Sequence, residues 1–325
     1  MPAPPAVGSA TIEAILAAGL RAPSAHNAQP WRMSQLGPGA YLIWYAVADK
    51  LRADPDDRDG LIAVGGFYET LRLAAESRGV GASFEPRFRR HEAGIDLGVV
   101  RFEPLDRPAD PVAPAIDGRR CNRFPYARTA LPPGLARQLE DMGQVLLSPD
   151  QVAVLVERAS ILSWKDRRFV ADLAEWTRFD DRAPDGMTFD CLRLNRLDIL
   201  AFRLALALRT LPSWLAWIYA QRDVGLTRNS SAMAIVIVDD REPATLFEAG
   251  RRLIRSWALI NQLGYAWHPM SVVIDQRPTV DDLRELLGGR DPVAIYRVGY
   301  TPHVAAVSKR RALDRVLVPA HGGPG

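Results

Sequence analysis

The sequence predicts an α+β fold of two related halves, each a mixed β-sheet flanked by helices. Three observations carry this. Short apolar strand candidates stand among longer helices without the regular alternation that a parallel sheet needs. No G-x-G-x-x-G turn follows any of them, so no Rossmann-type dinucleotide fold is indicated. And a helix-then-strand pattern occurs twice at equal length. Gly65 opens a helical run (Phe67, Leu71, Leu73, Ala74, Ala75) that closes at Gly79; Gly250 opens another (Leu253, Ile254, Trp257, Ile260) that closes at Gly264. Each closing glycine suits the left-handed position that ends a helix. The proline-rich stretch Pro104–Pro114 reads as a linker, which sets a first half at 1–112 and a second at 113–325.

In chain order, Ile12, Ile15, Leu16 and Leu20 recur at helical spacing with Ser9 or Thr11 as N-cap. Pro23 ends that helix, because the residue before a proline is pushed out of the α region. Gln29-Pro30-Trp31 leads into an extended segment. Strands are predicted at Tyr41–Ala46, Ala82–Phe88, Ile95–Phe102, Ala232–Val238, Trp267–Ile274 and Val293–Gly299. Helices are predicted at Pro132–Met142, Pro149–Ala174, Asp190–Leu211 and Val280–Leu287. Trp214, Trp217 and Tyr219 read either as a lid over a pocket or as a helix-packing stripe.

The 325 residues are 48% apolar and 24% charged, ample for a sizeable core, and the formal net charge is only +3. Basic residues are scattered among acids, so no nucleic-acid partner is expected. Two cysteines, Cys121 and Cys191, make no disulfide framework. The five histidines (His26, His91, His268, His303 and His321) show no ligand spacing, and no metal is expected. Met1–Gly8 lacks the basic start and apolar run of a signal peptide. Ile199–Tyr219 is interrupted by Arg203, Arg209 and Pro212, which a membrane span tolerates poorly. The reading is a cytoplasmic protein without a membrane partner.

The densest stretch is Arg21–Arg32, RAPSAHNAQPWR. Its prolines, amides, histidine and arginines suit a rigid polar loop closing over a ligand; the plainer alternative is a helix-to-strand turn with a buried tryptophan. Ala22, Pro23, Ser24, Asn27, Gln29, Pro30 and Trp31 match A-P-S-x-x-N-x-Q-P-W, which resembles the flavin-contacting loop of the FMN-dependent nitroreductase family. Asp117–Tyr126 resembles that family's opening R-R-S-x-R motif, with Cys121 where serine is usual, a weaker hydrogen-bond donor. Gly299–Asp314 resembles its closing G-Y-x-P strand end and basic segment. Asp54–Arg58 and Trp176–Arg178 are similar to the family's Acg-like branch, in which both partners of a dimer are fused in one chain.

The resemblance implies a nitroreductase-like fold with one complete flavin site. Arg119, Arg120, Lys309 and Arg311 would hold the phosphate and ribityl chain, Lys309 and Arg311 being the best matches to the closing motif, with the adjacent Arg310, Arg123 and Cys121 as further cofactor contacts. Pro23, Ser24, Ala25, Asn27 and Gln29 would close over the flavin from the other half. Gly264, with Tyr265 and Ala266, matches the position where backbone approaches the flavin. No proton donor is evident; His26 and His268 are weak catalytic candidates, the first equally well packed on Trp31. The activity implied is NAD(P)H-dependent reduction of an aromatic or quinone-like acceptor, alternatively FMN storage, or a tailoring oxidase or flavin-cleaving reaction. A chain holding both halves is expected to be monomeric.

Overall fold

The structure is a computed structural model in which residues 7–319 are described; His321 and most of the Met1–Gly8 segment lie outside them. Helix α1 (Ser9–Gly19) buries Ile12, Ile15 and Leu16, the spacing that predicted it. Strands β1 (Trp31–Gly37) and β2 (Ala40–Ala46), helix α2 (Arg58–Glu76), and strands β3 (Val80–His91) and β4 (Gly94–Pro104) follow. The second half begins with α3 (Pro133–Asp141) and β5 (Gln144–Leu147), then a run of helices: α4 (Pro149–Ser163), α5 (Arg167–Trp176), α6 (Phe189–Leu192), α7 (Arg196–Leu208) and α8 (Ser213–Arg228). It closes with β6 (Ala232–Val238), α9 (Pro243–Gln262), β7 (Ala266–Pro269), α10 (Val272–Asp275), α11 (Arg277–Leu286), β8 (Asp291–Gly299) and α12 (Leu313–Val316).

The two sheets share one topology, β1-β2-β4-β3 and β5-β6-β8-β7. In each, a long helix, α2 or α9, connects the second strand to the third. Every ladder is antiparallel, where mixed sheets were expected. Among the described residues, parallel pairing is confined to isolated bridges: Met33 with Leu317 beside β1, Cys121 with Trp267 beside β7, and Thr177 with Met187 away from the sheets. Hairpins such as β1–β2 and β3–β4 pair antiparallel, and a parallel partner has to arrive from a distant part of the chain.

Helices α2 and α9 pack directly on one another. A Cβ on Gly65 would lie 1.9 Å from the Phe247 carbonyl oxygen, and one on Gly250 would lie 2.1 Å from that of Ile62. The contact is reciprocal, each glycine meeting the residue three before the other. The predicted starts at Gly65 and Gly250 are therefore too late. The helices begin at Arg58 and Pro243, and both glycines sit mid-helix, where glycine costs about 0.5–1 kcal/mol relative to alanine. The close approach of two backbones is what requires them. Gly79 and Gly264, with φ of 72° and 77°, follow the helix ends as expected.

One apolar cluster runs through both halves and includes Trp31, Phe67 and Leu71 with Phe247, Ile254 and Trp257. Trp31 stacks on Phe67 at 5.0 Å. The Pro104–Pro114 stretch packs down as well: Val112 and Ala113 join that cluster, and Asp110 is buried against Arg72 and Arg255. The helix predicted over 149–174 breaks after α4, where the Asp166 side chain caps α5 by accepting from Arg168 and Phe169 N–H groups. The Asn195 capping box likewise starts α7 inside the predicted Asp190–Leu211 helix. The strand predicted at Trp267–Ile274 stops at Pro269 and turns into α10, since proline has no N–H to continue a ladder.

Gly65→Ala and Gly250→Ala should each lower stability by about 1–3 kcal/mol in denaturant unfolding. Gly134→Ala, in α3 with open space around its Cα, should be neutral or slightly stabilising.

Candidate functional site

A cavity of about 790 Å³ lies between the helix pair and the helical insertion α4–α8, within the range of small-molecule and cofactor sites. Ile62, Ala63 and Gly66 of α2 and Leu253, Ile254 and Trp257 of α9 form one wall. Trp164, Phe202, Leu215 and Tyr219 form the wall facing it.

The 23–27 loop lines the cavity through Pro23, Ser24, Ala25, His26 and Asn27. Its backbone is left-handed at His26 (φ 52°), Asn27 (56°) and Gln29 (54°), a conformation non-glycine residues hold only when their surroundings enforce it. The enforcement is visible. Ser24 Oγ accepts from the Gln29 N–H at 2.9 Å, and Asn27 Nδ2 donates to the Gly186 and Lys309 carbonyls. Gln29, predicted to touch ligand, is fully buried behind the lining; it donates to the Pro184 carbonyl and accepts from the Arg311 N–H. It braces the loop.

Arg119, Arg120, Cys121 and Arg123 also line the cavity. The segment is pinned by the Cys121–Trp267 bridge and by Arg297, a fully buried residue of β8 that donates to the carbonyls of Asn122 and Phe124. The far end of the chain returns to the first half, where the Val318 N–H donates to the Met33 carbonyl, and so lays residues 306–310 against the loop. Neighbouring side chains of an extended segment point to opposite sides. Arg310 accordingly lines the cavity, while Lys309 is exposed outside it and Arg311 is held by Asp49 and Asp185 at 2.9 Å each. The two best-matched cations of the closing motif thus do not line the cavity, and the adjacent one does.

Four arginines converge on one end: Arg21, Arg119, Arg120 and Arg310. Among the described residues none is ion-paired; they donate to carbonyls, Arg119 and Arg310 to that of Arg21, Arg310 also to that of Ala22, and Arg120 to that of Ala305. The Arg119 guanidinium lies 4.4 Å over the Trp257 ring, with Nε buried and unpartnered. Burial, then repulsion from Arg310 and Arg21, pushes Arg119 down to about 9; burial, then Arg21, pushes Arg310 to about 10. They remain cations at neutral pH, so these shifts express the cost of burying unpaired charge. A phosphate or similar anion would relieve it. Arg21 is a lining residue that sequence reading missed although it opens the motif itself. Gly264, expected to approach a ligand, is exposed with open space around it; it terminates α9, and the nearby wall is Trp267–Met270 instead.

Both candidate histidines line the cavity. His26 packs edge-on against Phe169 at 6.3 Å, not on Trp31, and its Nδ1 is buried without a partner. His268 Nδ1 accepts from Arg297 Nε at 3.0 Å, which leaves the ring proton on Nε2. Burial, then Arg297, holds its pKa well below 6.5. His268 is therefore a neutral hydrogen-bond donor rather than an acid. Among the described residues no group of three His, Cys, Asp or Glu side chains could hold a metal.

Inorganic phosphate, against chloride at equal ionic strength, should raise the melting temperature. At a hundred times its Kd the gain is about 2.7 kcal/mol, and Arg310→Gln should remove the response. Below about pH 6.5 the unfolded chain gains a proton at residue 268 that the folded one refuses, so this contribution to stability is lost as pH falls. A His268→Gln variant should show a shallower acid limb, and the wild-type imidazole should stay neutral by NMR at pH 6.5.

No family model matches the chain. "Uncharacterized protein Rv3127" of Mycobacterium tuberculosis is 27% identical, covering 91% of this chain and 90% of that protein. "Putative NAD(P)H nitroreductase acg" of the same species is 24% identical over 91% and 92%, and "Putative NAD(P)H nitroreductase Rv3131" is 29% identical over 51% of each. Among solved structures, a "putative nitroreductase" of Anabaena variabilis aligns over 80% of this chain and 69% of its own, at 10% identity and TM-score 0.44. The FMN-dependent nitroreductase NfnB of Mycobacterium smegmatis, in complex with NADPH, aligns over 64% and 92%, at 16% and 0.35. Along 91% of its length the chain is thus a relative of the Acg-type nitroreductase-like proteins.

Proposed function

We propose that the cavity binds FMN with its phosphate among Arg21, Arg119, Arg120 and Arg310, and that the protein is an NAD(P)H-dependent oxidoreductase acting on a small aromatic or quinone-like acceptor. The observation that carries this is the convergence of four arginines, none of them ion-paired to a carboxylate among the described residues, at one end of a largely apolar cavity closed by the 23–27 loop. The lining also holds buried, unpartnered polar atoms, among them His26 Nδ1, Asn27 Oδ1 and Arg119 Nε, which suits a ligand with donors and acceptors along its length. The names of the relatives support the nicotinamide donor and the reaction class.

When bound, the flavin supplies the hydride and electron chemistry. The chain supplies the rest. The guanidinium groups neutralise and orient the phosphate, the strained loop closes over the flavin without having to reorganise, and His268 offers a fixed Nε2–H. The aromatic wall of Trp164, Phe202 and Tyr219 keeps water away.

One site per chain fits the filling of its twin. Pairing Gly65 with Gly250 matches the wall residues Gly66, Leu253, Ile254 and Trp257 to Arg251, Tyr68, Glu69 and Arg72. Those four side chains occupy their own side of the helix pair: Tyr68 stacks on Phe247 at 5.8 Å, and Glu69 is ion-paired to both Arg72 and Arg251. On this reading the chain is a fused dimer with one open site and one plugged, complete as a cytoplasmic monomer. A storage role is favoured by the enclosing α4–α8 insertion, which would slow flavin release.

Purified protein should be yellow, and Arg119→Ala or Arg120→Ala should each weaken FMN binding about 10- to 150-fold. A double variant retaining full FMN stoichiometry overturns the assignment. Bleaching of bound FMN by NADPH within seconds supports turnover; no bleaching over minutes supports storage.

A further inference from the structure

The helical insertion presents a second face. Helix α7 lays Leu197, Leu200, Leu204 and Leu208 along one side, each more than half exposed, while Ala205 and Leu206 turn inward. On α8, Trp214 and Trp217 are 66% and 48% exposed. This pair of helices thus carries apolar stripes on the side where a water-facing helix carries polar ones. Isolated exposed leucines need no explanation, but four along one side of α7, followed by two exposed tryptophans one turn apart on the next helix, mark an interaction surface.

Charge says what kind. From Arg193 to Arg222 the hairpin holds five arginines and one acid, Asp198, so its net charge of +4 exceeds the +3 of the whole chain. Arg196, Arg203 and Arg209 are exposed on the hairpin, and Arg203 lies 4.4 Å over the ring of the exposed Phe179. Leucine and tryptophan on one side with arginine at the border is the pattern of helices that lie in a membrane interface. A second copy is a poor occupant, because a twofold contact places this cationic hairpin against itself. An anionic bilayer attracts each arginine. No described helix is long and apolar enough to cross a membrane; lying on one needs no such helix.

We propose that the α7–α8 face docks in the interface of an anionic lipid bilayer. Ile218 is both 52% exposed beside Trp217 and part of the cavity lining, so docking sets the rim of the cavity at the lipid. Given the flavin reading, apolar acceptors dissolved in the bilayer then reach the site without crossing water; the docking itself does not rest on that reading.

The six other tryptophans, at 31, 44, 164, 176, 257 and 267, are each no more than 7% exposed, so changes in tryptophan emission report on Trp214 and Trp217. Full-length protein, with and without added FMN, is mixed with phosphatidylcholine vesicles that contain or lack phosphatidylglycerol. The expected result is a blue shift, quenching by bromine-labelled chains and co-sedimentation with the anionic vesicles alone, weakened by salt. Leu200→Asp/Leu204→Asp should abolish all three with an unchanged circular dichroism spectrum, and Arg203→Gln should weaken partitioning about fivefold. No shift and no co-sedimentation with anionic vesicles overturns the proposal. So does a vesicle-independent blue shift that rises with protein concentration together with a dimer mass, which assigns the face to a second copy. Vesicle binding by protein that takes up no FMN sustains the docking and removes the flavin reading.

Discussion

The backbone-to-backbone crossing of α2 and α9 is the constraint from which the rest of the architecture follows. Two helices can come this close only where neither carries a Cβ, and Gly65 and Gly250 supply that at reciprocal positions. The crossing welds two sheets of identical strand order into one body with a continuous apolar core. It also creates two equivalent flanks. One is walled by Gly66, Ile254 and Trp257 and stays open; the other is closed by Tyr68, Phe247 and the buried carboxylate–arginine network around Glu69. Small side chains on the helix pair leave room on one flank, and the α4–α8 insertion roofs that room into a cavity.

On the open flank the protein holds charge that it does not itself neutralise. Two other buried arginines are ion-paired: Arg72 reaches Glu69, Glu76 and Asp110, and Arg58 reaches Asp59 and Asp275. Arg119 and Arg310 have only carbonyls, the Ser308 hydroxyl and an aromatic face. Burying cations in this way is unfavourable, and the packing of three distant segments makes it tolerable. The same segments are tied together, the arginine motif to β7 and the tail to β1 by backbone pairing, and the loop to residues 184–186 by the Asn27 and Gln29 side-chain amides.

Much of this was legible in the residues. The α1 spacing, the recurrence of a glycine-ended helix followed by a strand, and the strand at Ala232–Val238 came directly from hydrophobic periodicity and helix-end signals, because local pattern and tertiary burial agree there. The loop and arginine motifs were legible as motifs and lie together on one cavity. What was not legible is orientation. Whether Lys309, Arg310 or Arg311 faces the cavity depends on how an extended segment is rotated, and Asp49 and Asp185, far away in sequence, settle it for Arg311. Gln29 reads as a ligand contact and serves as a brace for the same reason. Trp214 and Trp217 face outward while Leu215 and Tyr219 line the cavity, since a helix inserted between a core and a pocket has more than two faces. Arg297 left one signal that could have been used: an arginine in the middle of the apolar run Val293–Gly299 has to be bound inside.

The returning tail also has a temporal consequence. The loop at residues 23–29 is among the first parts of the site to leave the ribosome, and Arg310 and the strand-edge residues Leu317 and Val318 are the last. Until they emerge, β1 lacks its parallel edge partner, the Asn27 amide lacks the Lys309 carbonyl, and the cavity lacks one of its four cations. Domains generally fold as units as they emerge, but this site spans both ends of the described chain. The nascent chain can therefore complete the four-arginine end of its cavity only once Arg310 has emerged.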